Sequence, residues 1–294
     1  MAPSASTKKK SSKKKQTDPE RAARRRRIAI GAATILGAIG FVVGGLAGVG
    51  AIDRRAAREI LPGDPEVSIA WPAGADGAVW LPASEQRRLD AIARDAVNGG
   101  RALRASTLEE ASRALHATGW FHGFPEARWD ADGTIRVEGR WRVPAAAVLE
   151  DGREILIDWD GRVLPISYRE GRSNQFVIQN AALPSPGVGA LWDEPEIMDA
   201  LRLRELLAKH DLLAQVEGVD LGTGRDHGVL HLLTNGAARI IWGGGPGRER
   251  TAEMPTEIKL ERLRELQRTT GRIDASVRIV DIRGQHILMQ RHER

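Results

Sequence analysis

An uncharged run of 25 residues, 28–52, constrains this chain more than any other feature of its sequence. As an α-helix the run would rise about 38 Å, which exceeds the roughly 30 Å hydrocarbon core of a bilayer. A helix also satisfies its own backbone hydrogen bonds, as lipid requires of a single spanning segment. The run therefore predicts a transmembrane helix over residues 28–52. A cleaved signal peptide is the alternative, although its apolar region is typically only about 7–15 residues long.

The charge distribution predicts the direction of this helix. Residues 1–27 hold eleven Lys and Arg against two acidic residues, whereas residues 53–294 hold 33 basic and 37 acidic residues. The positive-inside rule keeps the basic tail in the cytoplasm. The sequence thus predicts a single-pass protein of the cell inner membrane, with a disordered cytoplasmic tail over 1–27, a juxtamembrane linker over 53–65 and its bulk in the periplasm. The mildly acidic remainder argues against nucleic-acid binding.

The predicted membrane helix carries Gly40, Gly44 and Gly48 at a spacing of four residues. This spacing puts the glycines on one helix face, as in the small-xxx-small seams by which membrane helices pack together. A helix that merely spans the lipid bilayer, with a composition rich in Gly and Ala and without a helical partner, is the alternative.

Beyond the linker, helical and β-type segments occupy separate stretches of the chain. A short strand over 67–71 precedes two amphipathic helices, one over 84–97 and one that Thr107 caps. Hairpin dipeptides of the Asp-Gly and Asn-Gly type then separate short β-type runs. These runs cover 134–137, 141–148, 154–159, 175–179, 229–233, 238–242, 277–283 and 286–290. Two further helices interrupt them, and helices and strands in separate runs predict an α+β fold.

The sequence offers few candidates for chemistry. The chain has no cysteine, which excludes a disulfide framework and a cysteine nucleophile. His227 and His231 would lie about 13 Å apart if both belonged to one strand, too far for a shared metal. Asp158 and Asp160 are better explained by a hairpin turn than by a carboxylate pair. We therefore expect no catalytic residues, no metal, no cofactor and no small-molecule substrate.

Several segments, taken in order, resemble the FtsQ/DivIB family of bacterial cell division proteins. No single segment is specific, but the ordered set covers about residues 20–291. The segments are TGWF at 118–121, WRVPAA at 141–146, EILIDWDGRVLP at 154–165, ARIIWG at 238–243, KLERL at 259–263 and IVDIR at 279–283. The resemblance implies a transmembrane helix, then a small POTRA-like β-α-α-β-β domain over 66–140, then a larger mixed β domain with two helices over 141–294.

The resemblance also implies a function and a site. The function is that of a non-enzymatic scaffold of the divisome, which binds an FtsB/DivIC–FtsL type coiled-coil pair during septum formation. Partner binding is implied for a last β segment, its neighbouring strand and the surface of the preceding helix. The residues are Lys259, Arg264, Ile279, Asp281, Arg283, His286, Ile287, Leu288, Met289 and Gln290. A POTRA-bearing envelope assembly or secretion component and a membrane-anchored periplasmic enzyme are the alternatives.

Overall fold

Twelve short strands and four helices make up the part of the chain that the computed structural model describes, residues 66–74, 77–98 and 105–291. The strands are β1 Val67–Ile69, β2 Glu126–Trp129, β3 Ile135–Glu138, β4 Pro144–Glu150, β5 Arg153–Asp158, β6 Val163–Arg169, β7 Val177–Gln179, β8 Val216–Asp220, β9 Leu230–Thr234, β10 Arg239–Gly243, β11 Ile279–Asp281 and β12 Leu288–Gln290. The helices are α1 Ala83–Asn98, α2 Ala105–His116, α3 Pro195–Lys209 and α4 Thr256–Thr270.

The first two helices and the first three strands form a small unit. Its sheet has the order β1-β3-β2, in which β1 is parallel to β3 and β2 is antiparallel to β3. Parallel neighbours need a long crossover connection, and the α1–α2 pair provides it. Leu89 and Ala93 of α1 and Leu115 of α2 pack with Ile135 and Val137 of β3 in one buried cluster.

The remaining strands form one nine-stranded sheet of order β12-β11-β10-β9-β8-β7-β4-β5-β6. Buried residues of α3 and α4 share a core cluster with this sheet. β4 is buried from Ala145 to Val148 without alternation, because it is covered on both faces. Ala146 and Val148 belong to the cluster with α3 and α4, whereas Ala147 belongs to the cluster of the small unit. The small unit therefore packs on the back of this part of the sheet.

The predicted fold class needs correction. The segment predicted to span the membrane, residues 28–52, and the glycines Gly40, Gly44 and Gly48 lie outside the described residues, as do the tail and the whole of the linker. Within residues 66–74, 77–98 and 105–291, no helix is long and apolar enough to cross a bilayer. The longest, Ala83–Asn98, would rise only about 24 Å.

The structure therefore supports a mixed α/β fold, mostly β, with two sheets and four helices in the described part of the chain. It does not support the predicted single-pass inner-membrane location. The predicted β-type runs also left out β2, β6 and β8. No hairpin dipeptide precedes β2 or β8, whereas β6 follows Asp160-Gly161. β8 reads Val-Glu-Gly-Val-Asp, and the glycine at its centre conceals the β pattern.

Candidate protein-docking site at the sheet edge

The C-terminal edge of the nine-stranded sheet is built by a β-α-β crossover. After β10 the chain passes through a glycine-rich loop and α4, and it returns as β11, which is parallel to β10 with Ile240 opposite Val280. Both residues are fully buried. β12 then pairs antiparallel with β11 and is the last strand of the sheet in the described part of the chain. The crossover thus brings the predicted partner-binding segments of α4, β11 and β12 together.

β12 exposes apolar side chains on both faces of the sheet. Leu288 is 65% exposed and lies opposite Asp281, and Met289 is 47% exposed and lies opposite Val280. Gln290 is exposed as well. Consecutive side chains of a strand point to opposite faces, so neither face of β12 is covered by the residues that the structure describes.

The backbone of β12 is oriented by its pairing with β11. The backbone amide of Arg278, which immediately precedes β11, donates to the carbonyl of Gln290 at 3.0 Å, so this carbonyl points towards β11. Backbone polar groups of consecutive strand residues point to opposite edges. The amide and the carbonyl of Met289 therefore point to the open edge, where an added strand could pair with them.

The turn that carries β12 is held in place by arginines. Arg262 of α4 donates to the carbonyls of Ile282 at 2.9 Å and Gln285 at 2.6 Å. Arg283 donates from Nη2 to Oδ2 of Asp281 at 2.8 Å. Burial by itself would raise the pKa of Asp281, but the hydrogen bonds from Arg283 outweigh it and hold this pKa below its ordinary value. Sequence reasoning missed Arg262, because a surface arginine on a helix carries no distinctive signal.

Lys259 does not lie on the helix surface, where the resemblance placed it. Its side chain is fully buried, and its Nζ lies 2.9 Å from Oε2 of Glu253. The same Nζ lies 5.3 Å from the ring centroid of Trp242, within the range of a cation–π contact. Lys259 therefore binds the glycine-rich loop to α4 and presents no side chain to a partner.

The other predicted residues differ in their accessibility. Arg264 is exposed and contacts Nδ1 of His210 at the end of α3. His286 is exposed, whereas Ile287 is half-buried against the large core cluster. Ile279 is half-buried opposite Gln290. The accessible side chains of the predicted site are thus those of Arg264, His286 and residues 288–290. We call the segment from 286 to 290, with its open edge, the β12 surface.

Two groups of histidine and carboxylate side chains were not predicted. His227 lies in the loop before β9 rather than in the strand, which begins at Leu230. Its Nε2 lies 3.5 Å from Oε1 of Glu194 and 4.0 Å from Oε2 of Glu196. The two carboxylates come from the start of α3, so only the tertiary structure brings them to His227.

The second group contains Asp158, Asp160 and His122. Asp158 is buried and its Oδ2 accepts from Nη1 of Arg142 at 2.5 Å. Its Oδ1 accepts from the backbone amides of Asp160 and Arg162, each at 2.9 Å. These bonds close the turn between β5 and β6, so the prediction that Asp158 belongs to a hairpin is confirmed. A guanidinium this close also disfavours a cation at the group.

Comparison with known proteins adds no relative from which a role could be transferred to the β12 surface: neither a protein-family model nor a curated protein matches this chain.

Proposed function

We propose that this protein is a non-catalytic scaffold of the bacterial division machinery, and that it binds an FtsB/DivIC–FtsL type pair by strand addition to β12. The observation that carries the proposal is the open edge of β12 with two adjacent exposed apolar side chains, Leu288 and Met289. The β-α-α-β-β order of the small unit and the ordered segments that resemble the FtsQ/DivIB family support the same class of function.

The exposed composition of β12 favours a partner. Natural sheets usually protect an open edge with lysine, proline, a bulge or a covering loop, because an unpaired edge recruits other strands. Among residues 288–290 none of these devices is present, and Leu288 and Met289 follow each other. An added strand would pair with the backbone of Met289 and could bury Leu288 on one face and Met289 on the other.

The opposite edge of the same sheet, at β6, is partly covered, which favours β12 as the edge that binds a partner. Along β6, the amide of Val163 donates to the carbonyl of Ala190 at 3.0 Å, and the carbonyl of Val163 accepts from the amide of Gly189 at 2.8 Å. The segment that contains Gly189 thus covers the start of β6. Within the described residues β12 has no such cover, so it is the more available of the two edges for a partner strand.

The β12 surface is also ordered before a partner binds. Arg262 holds the turn through three carbonyls, those of Ile282, Gly284 and Gln285, and Ile287 packs on the core. A preorganised strand loses little conformational entropy when it pairs, so more of the interaction energy appears as affinity. Arg262 is therefore a positioning residue of the β12 surface.

Met289→Pro tests the proposal. Proline removes the outward N–H and is otherwise tolerated on an edge strand. Met289→Ala is the matched control, because it shortens the same side chain but retains the N–H. We expect Met289→Pro to weaken binding of the purified partner pair by about tenfold or more relative to Met289→Ala, as the loss of a buried hydrogen bond implies.

Binding is measured by isothermal titration of the full chain, with circular dichroism as the check on folding. Equal affinity of folded Met289→Pro and Met289→Ala would show that no strand adds at this edge. Should the proline variant unfold, hydrogen exchange of the Met289 amide in the wild-type protein gives the same information. Strand addition predicts that this amide becomes protected in the complex, and unchanged exchange would contradict the proposal.

A further inference from the structure

A cavity of about 570 Å³ lies between α3, the loop that joins β6 to β7, and the beginning of β8. Its walls are chemically mixed. Phe176, Leu213 and Val216 contribute apolar surface, and Ser173 and Arg204 contribute hydrogen-bonding groups. β8 is separated from β12 by three strands in the sheet order. The cavity is therefore distinct from the β12 surface, and nothing inferred about it depends on the proposed function.

Arg204 is the cation of this cavity. Its Nε is buried and has no hydrogen-bond partner in the described part of the chain. Its guanidinium carbon lies 4.8 Å from the ring centroid of Trp159, so a cation–π contact orients the group. Burial lowers the pKa of Arg204, but an arginine keeps its proton in proteins. A partly desolvated charge thus remains without a counter-ion, which is unfavourable unless an anion pairs with it.

Two acidic residues, Glu154 and Glu217, line the cavity, and neither forms an ion pair with Arg204. The Glu154 carboxylate accepts from the backbone amides of Gly171 at 2.6 Å and Ser173 at 2.8 Å. Burial by itself would raise the pKa of Glu154, but hydrogen bonds from the Ser173 side chain and from the backbone amides of Gly171 and Ser173 outweigh it and lower the pKa. Glu154 therefore holds the loop that forms one wall, and no carboxylate of the described residues pairs with Arg204.

We propose that the cavity binds a small organic carboxylate with an apolar body, whose carboxylate pairs with the guanidinium of Arg204. The planar fork of arginine matches a carboxylate, and the pair is strong where water is partly excluded. The apolar body would lie against Phe176, Leu213 and Val216. The site adds a small-molecule ligand to a protein for which the sequence suggested none.

Benzoate is the test ligand, and benzamide is its neutral match in shape. Binding is followed on the full chain by calorimetry and by the NMR signal of the Arg204 Nε–H. We expect benzoate to bind saturably and to shift this signal, and we expect benzamide to bind at least about tenfold more weakly, since a hydrogen bond to a charged group is roughly twice as strong as a neutral one. Comparable binding of benzoate and benzamide would overturn the proposal, as would the absence of saturable benzoate binding.

Arg204→Met should weaken benzoate binding by at least about tenfold, whereas Arg225→Met, which removes an exposed arginine outside the cavity, should leave it unchanged. An equal loss of benzoate affinity in both variants would indicate that benzoate is attracted by the net charge of the protein, and it would contradict a specific site. Inorganic phosphate serves as a second probe: binding as tight as that of benzoate would contradict the role of the apolar wall. If Arg204→Met fails to fold, the benzoate and benzamide comparison on the wild-type chain still decides the question.

Discussion

Replacement of Lys259 by methionine separates a structural role of this residue from a role in partner binding. Lys259 is fully buried, and the side chain of its partner Glu253 is only 7% exposed. Methionine retains most of the length of the stem and removes the charge. The substitution leaves Glu253 as a buried carboxylate whose remaining hydrogen bond comes from the amide of Gly244 at 2.9 Å.

The expected loss of stability follows from this geometry. Breaking a buried ion pair by removing one partner costs roughly 3–5 kcal/mol, because the other charge stays desolvated. The amide of Gly244 continues to satisfy the Glu253 carboxylate, so we expect a value near the lower end, about 3 kcal/mol. For a folded region of this size that corresponds to a fall of roughly 6–12 °C in Tm.

The assay is a double-mutant cycle measured by chemical denaturation. We expect Lys259→Met combined with Glu253→Gln to be more stable than Lys259→Met alone, because neutral glutamine removes the unpaired charge. Arg264→Met, on the same helix and exposed, should change the free energy of unfolding by less than about 1 kcal/mol. If Lys259→Met is as stable as the wild-type protein but binds the partner pair more weakly, the assignment of Lys259 to the core is wrong.

Two further predictions concern buried carboxylates. Hydrogen bonds from Arg272 lower the pKa of buried Asp274 to about 2, below its ordinary value. Asp274 therefore stabilises the fold at neutral pH by about 2 kcal/mol, and this contribution is lost as the pH falls from about 4 to 2. Urea unfolding at pH 7 and pH 3 should show a smaller pH dependence of stability for Asp274→Asn than for the wild-type protein, and an unchanged dependence would contradict this role of Asp274. A Cβ at Gly245 would lie 2.2 Å from Cγ of Asp199, so Gly245→Ala should destabilise the protein by about 1–3 kcal/mol. Gly284→Ala is the control and should not destabilise it, because nothing lies within 4 Å of the Cβ position of Gly284. Equal stability of the two variants would contradict the close packing at Gly245.

Two hairpin turns show which features the local sequence predicts and which it does not. Asp151-Gly152 was predicted to form a type I′ hairpin turn, and both residues have positive φ, 47° and 71°, between β4 and β5. At Asn235-Gly236 a hairpin does join β9 to β10, but the left-handed residue is Ala237, with φ 57°. Gly236 instead lies close to Arg272: a Cβ at this position would lie 2.3 Å from Nη2 of Arg272, so the end of the arginine side chain would have to shift. Arg272 reaches this turn from a distant part of the chain, so the sequence around the turn does not predict the contact.

The sequence by itself determined the elements whose signals are local. The helix over 84–97, the strand near 67–71 and most of the hairpin strands follow from apolar periodicity and from dipeptides that favour turns. The second helix was also predicted, but it begins at Ala105, so Thr107 lies in its first turn and is not its N-cap. These signals depend on residues within a few positions of each other, so they survive without knowledge of the rest of the fold. The tendency of residues 288–290 to form a strand likewise follows from the local sequence.

Only the tertiary structure decided which residues pack against each helix and strand and which side chains stay accessible. It buried Lys259 beneath the glycine-rich loop, brought His227 to two carboxylates of α3 and left Arg204 without a counter-ion at a cavity. It also placed β12 at the open end of the sheet. The physical reason is that burial, pairing and strand order depend on residues far apart in sequence, whereas a local pattern shows which side of a helix or strand is apolar without showing what packs against it.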